Sequence, residues 1–213
     1  MKTLHSLFLL AAATYSVNAA TIKFSSNATA ADSTQNNSIG NNIVIQKNPG
    51  WLDPIAGSQW ISYANTGDPS SSGFISPANG TVVSFFQYFT LTAADLTTNG
   101  TVSLLADDSA ATLLNGHTLQ SEAPSAGNTY GTCSDTKPNC TAVTTVTLSS
   151  QYFVVGRNKL QFDVAQRAGS SYGLDYSGSA GTTAPEPATW AFMASGALAF
   201  AVGLRKRTAA VKA

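Results

Sequence analysis

Asp107 and Asp108 stand side by side in the chain. Hydrolysis by paired carboxylates needs two acids facing each other across the scissile bond, one of them with a raised pKa. Adjacent residues on one strand point to opposite faces, so this pair makes a poor acid and base. Calcium is a better use for Asp107 and Asp108, because a hard cation takes carboxylate and carbonyl oxygens from a loop. Solvated or turn-capping aspartates are the competing reading. A serine triad lacks a base: His117 runs into Thr118-Leu119 in a hairpin context, and a nucleophile without a base is only a serine. No glycine-rich segment follows a strand and opens a helix as a dinucleotide site would. The chain is therefore read as non-catalytic.

Two cysteines, Cys133 and Cys140, enclose Ser-Asp-Thr-Lys-Pro-Asn. In an exported chain such a pair closes a disulfide that pins a loop, worth about 2–3 kcal/mol at best because the loop is short. A metal would need more ligands than this segment offers. Export follows from residues 1–19. Lys2 and His5 form a short basic start, Leu7 to Ala13 an apolar stretch, and Val17-Asn18-Ala19 a small-residue cleavage box.

At the other end, Trp190 to Leu204 carries no charge and is followed at once by Arg205-Lys206-Arg207. With Ala188 and Thr189 it rises about 25 Å as a helix, slightly short of a hydrocarbon core about 30 Å thick. It spans if Trp190 sits at one interface and the cations at the other, on the cytoplasmic side. A buried core helix is the alternative, though such a helix rarely stops on three consecutive cations. Pro185-Glu186-Pro187, the apolar run and the basic tail together resemble the PEP-CTERM sorting signal of exported proteins from exopolysaccharide-producing bacteria. The resemblance implies recognition by an exosortase-type enzyme, cleavage near Pro185-Glu186-Pro187, and at least transient contact with the inner membrane.

Between these signals, residues 20–184 hold six Lys/Arg against ten Asp/Glu, a net charge near −4 that the whole-chain value of zero conceals. Six scattered cations make no footprint for a phosphate backbone, so no nucleic-acid partner is expected. Ser, Thr, Asn and Gly dominate, which suits strands and turns.

The elements read as short strands between turns. Asn42 to Ile45 is a strand, and Lys47 to Gly50 a turn. Thr81 to Thr92, with Phe85, Phe86, Tyr88 and Phe89, must contribute centrally to burial. Ala93 to Leu96 is a helical turn, Thr101 to Ala106 a strand, and Ala111 to Leu114 a strand ending in the Asn115-Gly116 hairpin signal. Thr145 to Leu148 alternates again, and Leu160, Phe162 and Val164 alternate cleanly with Lys159, Gln161 and Asp163. Tyr172 to Tyr176 closes the set, and the glycine- and serine-rich residues 177–184 read as a flexible linker. The expectation is an all-β fold, a jelly-roll-like antiparallel β sandwich over residues 20–176, with a sorting signal over 185–213.

Asp107-Asp108, the Asn115-Gly116 hairpin, Gly156-Arg157-Asn158-Lys159-Leu160 and Gly173-Leu174, in that order, resemble the galactose-binding-like jelly-roll domains of carbohydrate-active and surface proteins. That resemblance implies a jelly roll first and carbohydrate binding second. Trp51, Trp60, Tyr63 and Tyr172 are either core anchors or stacking surfaces for a sugar ring. Asp53, Asp107, Asp108 and Asn115 are short polar groups able to bond hydroxyls or hold a structural calcium ion. Two functions compete: a non-catalytic, envelope-anchored surface or matrix protein of unspecified ligand, ranked first, and a carbohydrate-binding module contacting extracellular polysaccharide.

Overall fold

A computed structural model of the chain describes residues 21–27, 35–123, 133, 137–167 and 170–180. The leader expected over 1–19 and the whole sorting signal over 185–213 lie outside the described residues. Among the described residues no helix is long and apolar enough to cross a membrane. This corrects the expectation of a transmembrane helix: the regular elements of the described chain are strands, with two single-turn 3₁₀ segments at Ala93–Thr97 and Ser150–Tyr152.

Among the described residues eleven strands form two sheets: β1 Ile22–Ser25, β2 Gln35–Asn37, β3 Ile43–Val44, β4 Ile61–Ser62, β5 Val82–Leu91, β6 Gly100–Asp107, β7 Ser109–Leu114, β8 His117–Gln120, β9 Thr144–Leu148, β10 Gly156–Ala165 and β11 Gly173–Ala180. One sheet runs β3-β4-β11-β6-β9, with β1 also paired to β11; the other runs β2-β5-β10-β7-β8. Every pairing is antiparallel. From β5 onward the chain changes sheet at each connection except the β7–β8 hairpin. The fold is an all-β, two-sheet antiparallel sandwich of jelly-roll-like form.

The main core lies between the sheets. β10 buries Asn158, Leu160, Phe162 and Val164 and turns Arg157, Lys159, Gln161 and Asp163 outward, the alternation that a strand with one covered face requires. β5 buries Val83, Phe85, Gln87, Phe89 and Leu91. Gln87 is tolerated inside because Tyr176 Oη donates to its Oε1 at 2.9 Å and its Nε2 donates to the Tyr88 carbonyl at 2.9 Å. In the β7–β8 hairpin, Asn115 and Gly116 take φ values of 50° and 86°, the left-handed pair that such a two-residue turn needs.

β11 continues past Tyr176 to Ala180, pairing Ser177 to Ala180 with β1 and Ser177 to Ser179 with β6. The first four residues expected as flexible linker therefore belong to the sheet. Gly178 makes this crossing fit, since a Cβ there would meet the Thr101 carbonyl oxygen at 2.5 Å and Phe24 Cε2 at 2.6 Å. Glycine is required at 178 because the neighbouring strands leave no room for a side chain.

Candidate functional site

The two sheets differ on their outer faces. On the β3-β4-β11-β6-β9 sheet, part of that face is roofed by a second small core of Ile45, Trp51, Trp60, Leu105, Cys133 and Cys140. Trp51 and Trp60 pack with ring centroids 4.2 Å apart. The Cys133–Cys140 disulfide is formed, with a Cα–Cα distance of 5.8 Å, and Leu52 N donates to the Cys140 carbonyl at 3.0 Å, tying the roof together.

Asp107 lies beneath that roof. Trp51 Nε1 donates to its Oδ2 at 2.7 Å. Burial raises its carboxyl well above the ordinary range, and the neighbouring Asp108 carboxylate, by charge and by hydrogen bond, raises it further. The two aspartates are not successive positions of one strand. β6 ends on Asp107 and β7 starts on Ser109, so the pair sits at the corner where the chain changes sheet, and the carboxyls meet instead of pointing apart. Asp108 Oδ2 accepts the Arg167 backbone N–H at 2.6 Å. This donor set does not fit calcium. A buried carboxyl with one oxygen bonded to an indole N–H, beside a carboxyl engaged by a backbone N–H, is not the cage of six to eight oxygens that calcium takes. Among the described residues no group of three or more His, Cys, Asp or Glu could hold a metal.

The structure places the sugar-stacking candidates in packed surroundings. Trp51 is 4% and Trp60 1% exposed, and Trp60 Nε1 donates to the Leu52 carbonyl at 3.1 Å. Tyr172 is fully buried, with its hydroxyl donating to the Val164 carbonyl at 2.8 Å. Tyr63 is half-buried, edge-on to Tyr172 with centroids 5.8 Å apart, and burial raises its phenol pKa. Asn115 is fully engaged: Nδ2 donates to the Tyr152 carbonyl and to Asn158 Oδ1, both at 2.8 Å, while Oδ1 accepts Lys159 N at 2.8 Å. Asp53 is exposed and pairs with Lys47 at 3.3 Å. Trp51, Trp60 and Asp107 are thus brought together, as are Tyr63 and Tyr172, but in buried packing, while Asn115 is engaged elsewhere, in the β7–β8 turn.

One spacing missed in the sequence is Gly169-Ser170-Ser171-Tyr172-Gly173, a Gly-x-Ser-x-Gly match. Ser171 is buried, its Oγ accepts Asn48 Nδ2 at 2.7 Å, and the segment enters β11 instead of opening a helix. It is not a nucleophile elbow, which needs an exposed hydroxyl at a strand-to-helix turn.

The other sheet offers the candidate site. Its outer face carries Ser84, Phe86, Tyr88 and Thr90 on β5, and Arg157, Lys159, Gln161 and Asp163 on β10, in register as Asp163–Ser84, Gln161–Phe86, Lys159–Tyr88 and Arg157–Thr90. All eight are half-buried or exposed, and no second layer covers them among the described residues. Phe86 and Tyr88 lie side by side with centroids 6.4 Å apart. The Arg157 guanidinium sits over Tyr88 at 3.8 Å and Lys159 Nζ lies 5.1 Å from the Phe86 ring. At the far end, Asp163 Oδ1 accepts Ser84 Oγ at 2.6 Å and Gln161 Nε2 at 2.8 Å. The face thus presents two aromatic rings bordered by donors at one end and a hydrogen-bonded acceptor cluster at the other. Aromatic residues on both faces of β5, and Gln87 within, hid this period-2 pattern from the sequence.

No protein-family model and no curated protein sequence matches the chain. Two solved structures are similar at low TM-scores. An exo-β-1,3-galactanase from Phanerochaete chrysosporium, a single-substitution variant with β-1,3-galactotriose, gives a TM-score of 0.34 at 11% identity over 75% of this chain and 29% of that one. A family 35 carbohydrate-binding module from Clostridium thermocellum gives 0.32 at 14% identity over 74% of this chain and 96% of that one. The chain thus spans less than a third of the galactanase's length.

Proposed function

We propose that this chain is an exported, non-catalytic carbohydrate-binding protein that contacts extracellular polysaccharide through the β5–β10 face. The observation that carries the reading is the pairing of Phe86 and Tyr88 with Arg157, Lys159 and Gln161 on a sheet face with no covering layer among the described residues. Sugars bind where a flat apolar surface meets convergent hydrogen-bonding groups, because their rings present C–H faces rimmed by hydroxyls. Export is supported by residues 1–19 and by a disulfide, which persists in oxidising compartments. Pro185-Glu186-Pro187 and Arg205-Lys206-Arg207 support handling by an exosortase-type enzyme. The non-catalytic reading is supported by the burial of Asp107 and Asp108, bonded to Trp51 and to the Arg167 backbone, and by the packing of Ser171.

Affinity electrophoresis and calorimetry of the purified full chain against a polysaccharide panel test this reading. The expected result is binding that Phe86→Ala with Tyr88→Ala abolishes while the melting temperature stays within a few degrees of wild type. Absence of binding to every polysaccharide, or binding untouched by that double substitution, overturns it and leaves a purely structural matrix role.

A further inference from the structure

Arg157 and Lys159 differ from the cations that the fold pairs with acids. Arg167 is paired with Glu122, and Lys47 with Asp53 at 3.3 Å. Arg157 and Lys159 make neither an ion pair nor a side-chain hydrogen bond among the described residues, and each instead lies over an aromatic ring. They stand two positions apart on β10, so both project from the same outer face. Asp163, the acid that β5 and β10 place on that face, is at its opposite end and is already held by Ser84 and Gln161. A domain with an excess of acids therefore keeps a small positive island, and keeps it on an aromatic face that no second layer covers among the described residues.

The stacking geometry gives that island a preference. The Arg157 guanidinium carbon lies over the Tyr88 ring, 3.8 Å from its centroid, and a guanidinium held on a ring face keeps N–H groups for a second partner. Those N–H groups match a carboxylate as a two-point fork, and ring stacking holds the fork in place before any ligand arrives. Lys159 adds a second point charge one pleat repeat along the strand, about 7 Å away by strand geometry. Successive charged sugars of a chain laid along the face can meet both.

We infer that the ligand of this face is an acidic, carboxylate-bearing polysaccharide, with Arg157 forking onto a sugar carboxylate and Lys159 neutralising a second. This deepens the carbohydrate-binding reading and rests on it. A single-stranded nucleic acid would meet the same aromatic and cationic groups, but two cations on one face fall well short of the run of phosphate contacts that carries nucleic-acid binding.

The test measures the full chain against polygalacturonate, alginate and hyaluronate, each beside its fully methyl-esterified and therefore uncharged counterpart, with a single-stranded oligonucleotide as a further arm. Expected is binding to at least one acidic chain about tenfold tighter than to its ester, weakening as salt is raised. Arg157→Gln should remove that preference with the melting temperature unchanged, and Arg157→Lys should restore only part of it. Equal affinity for an acid chain and its ester overturns the charge assignment and leaves carbohydrate binding standing. Binding to none of these chains overturns the acidic-ligand assignment, and silence across the wider polysaccharide panel as well overturns both. Oligonucleotide binding as tight as that of the best polyuronate overturns the assignment in favour of nucleic acid.

Discussion

Trp51 Nε1 donates to Asp107 Oδ2 at 2.7 Å, and this bond fastens the roof of the second core to the sheet beneath it. The acceptor is a carboxyl that burial keeps protonated well beyond the usual range. A group whose folded pKa exceeds its unfolded one costs nothing below the unfolded value. It then subtracts stability as pH rises from that value through the folded one. Asp175, raised by burial in the same direction, adds to the trend. Asp107→Asn keeps an acceptor for the indole and removes the titration. The variant should melt at the same temperature as wild type near pH 4 and several degrees higher at pH 7. Equal melting temperatures at both pH values, by calorimetry, would contradict the account.

Reducing the Cys133–Cys140 bridge should cost modestly. The cysteines are seven positions apart, so the loss of chain-entropy benefit is at most about 2.5 kcal/mol. Urea denaturation with and without reductant reads this directly. Tryptophan emission should shift to longer wavelength as the roof over Trp51 and Trp60 loosens, while the strand signal in circular dichroism persists. Complete unfolding on reduction would mean the second core does far more than seal one face.

Trp60→Ala removes a side chain with 1% exposure from that core and should cost about 3–5 kcal/mol. Polysaccharide affinity per folded molecule should not change, since Trp60 packs on the outside of the opposite sheet. A large loss of affinity with stability intact would return Trp60 to the set of sugar contacts.

Asn158 is a buried polar hub. Its Oδ1 accepts from Asn115 Nδ2 at 2.8 Å and Val154 N at 3.0 Å, and its Nδ2 donates to the carbonyls of Val154 at 2.8 Å and Gly156 at 3.0 Å. Asn158→Ala leaves buried partners unmatched and should destabilise the domain by about 2–3 kcal/mol in urea melts. A change below about 0.5 kcal/mol, the effect of a surface substitution, would show that water replaces the amide there.

The sequence carries the strands far better than the faces. Leu160, Phe162 and Val164 announce β10, and Asn115-Gly116 announces its hairpin, because alternation and left-handed turns are local properties. Which strands pair is not local. The burial of Trp51 and Trp60 depends on a roof formed by residues more than seventy positions later, Cys133 and Cys140. Phe86 and Tyr88 look like core because they are aromatic, and only their register with Gln161 and Lys159 turns them outward. Asp107 and Asp108 look like neighbours on a strand until the chain is seen to change sheet between them.

The pairing of Ile22 with Ala180 sets the order of assembly. The first strand of the sandwich finds its place only beside the last, and β6 too leans on that last strand along most of its length. Loop-closure entropy makes such distant contacts slow to form, so the sheet stays incomplete until β11 is available. A polypeptide emerging from its N-terminus therefore stays open and threadable until nearly the whole domain has appeared, and closes in a late, cooperative step. Truncation before Gly173 would leave both β1 and β6 with bare edges, a species prone to pair with other copies instead of with itself.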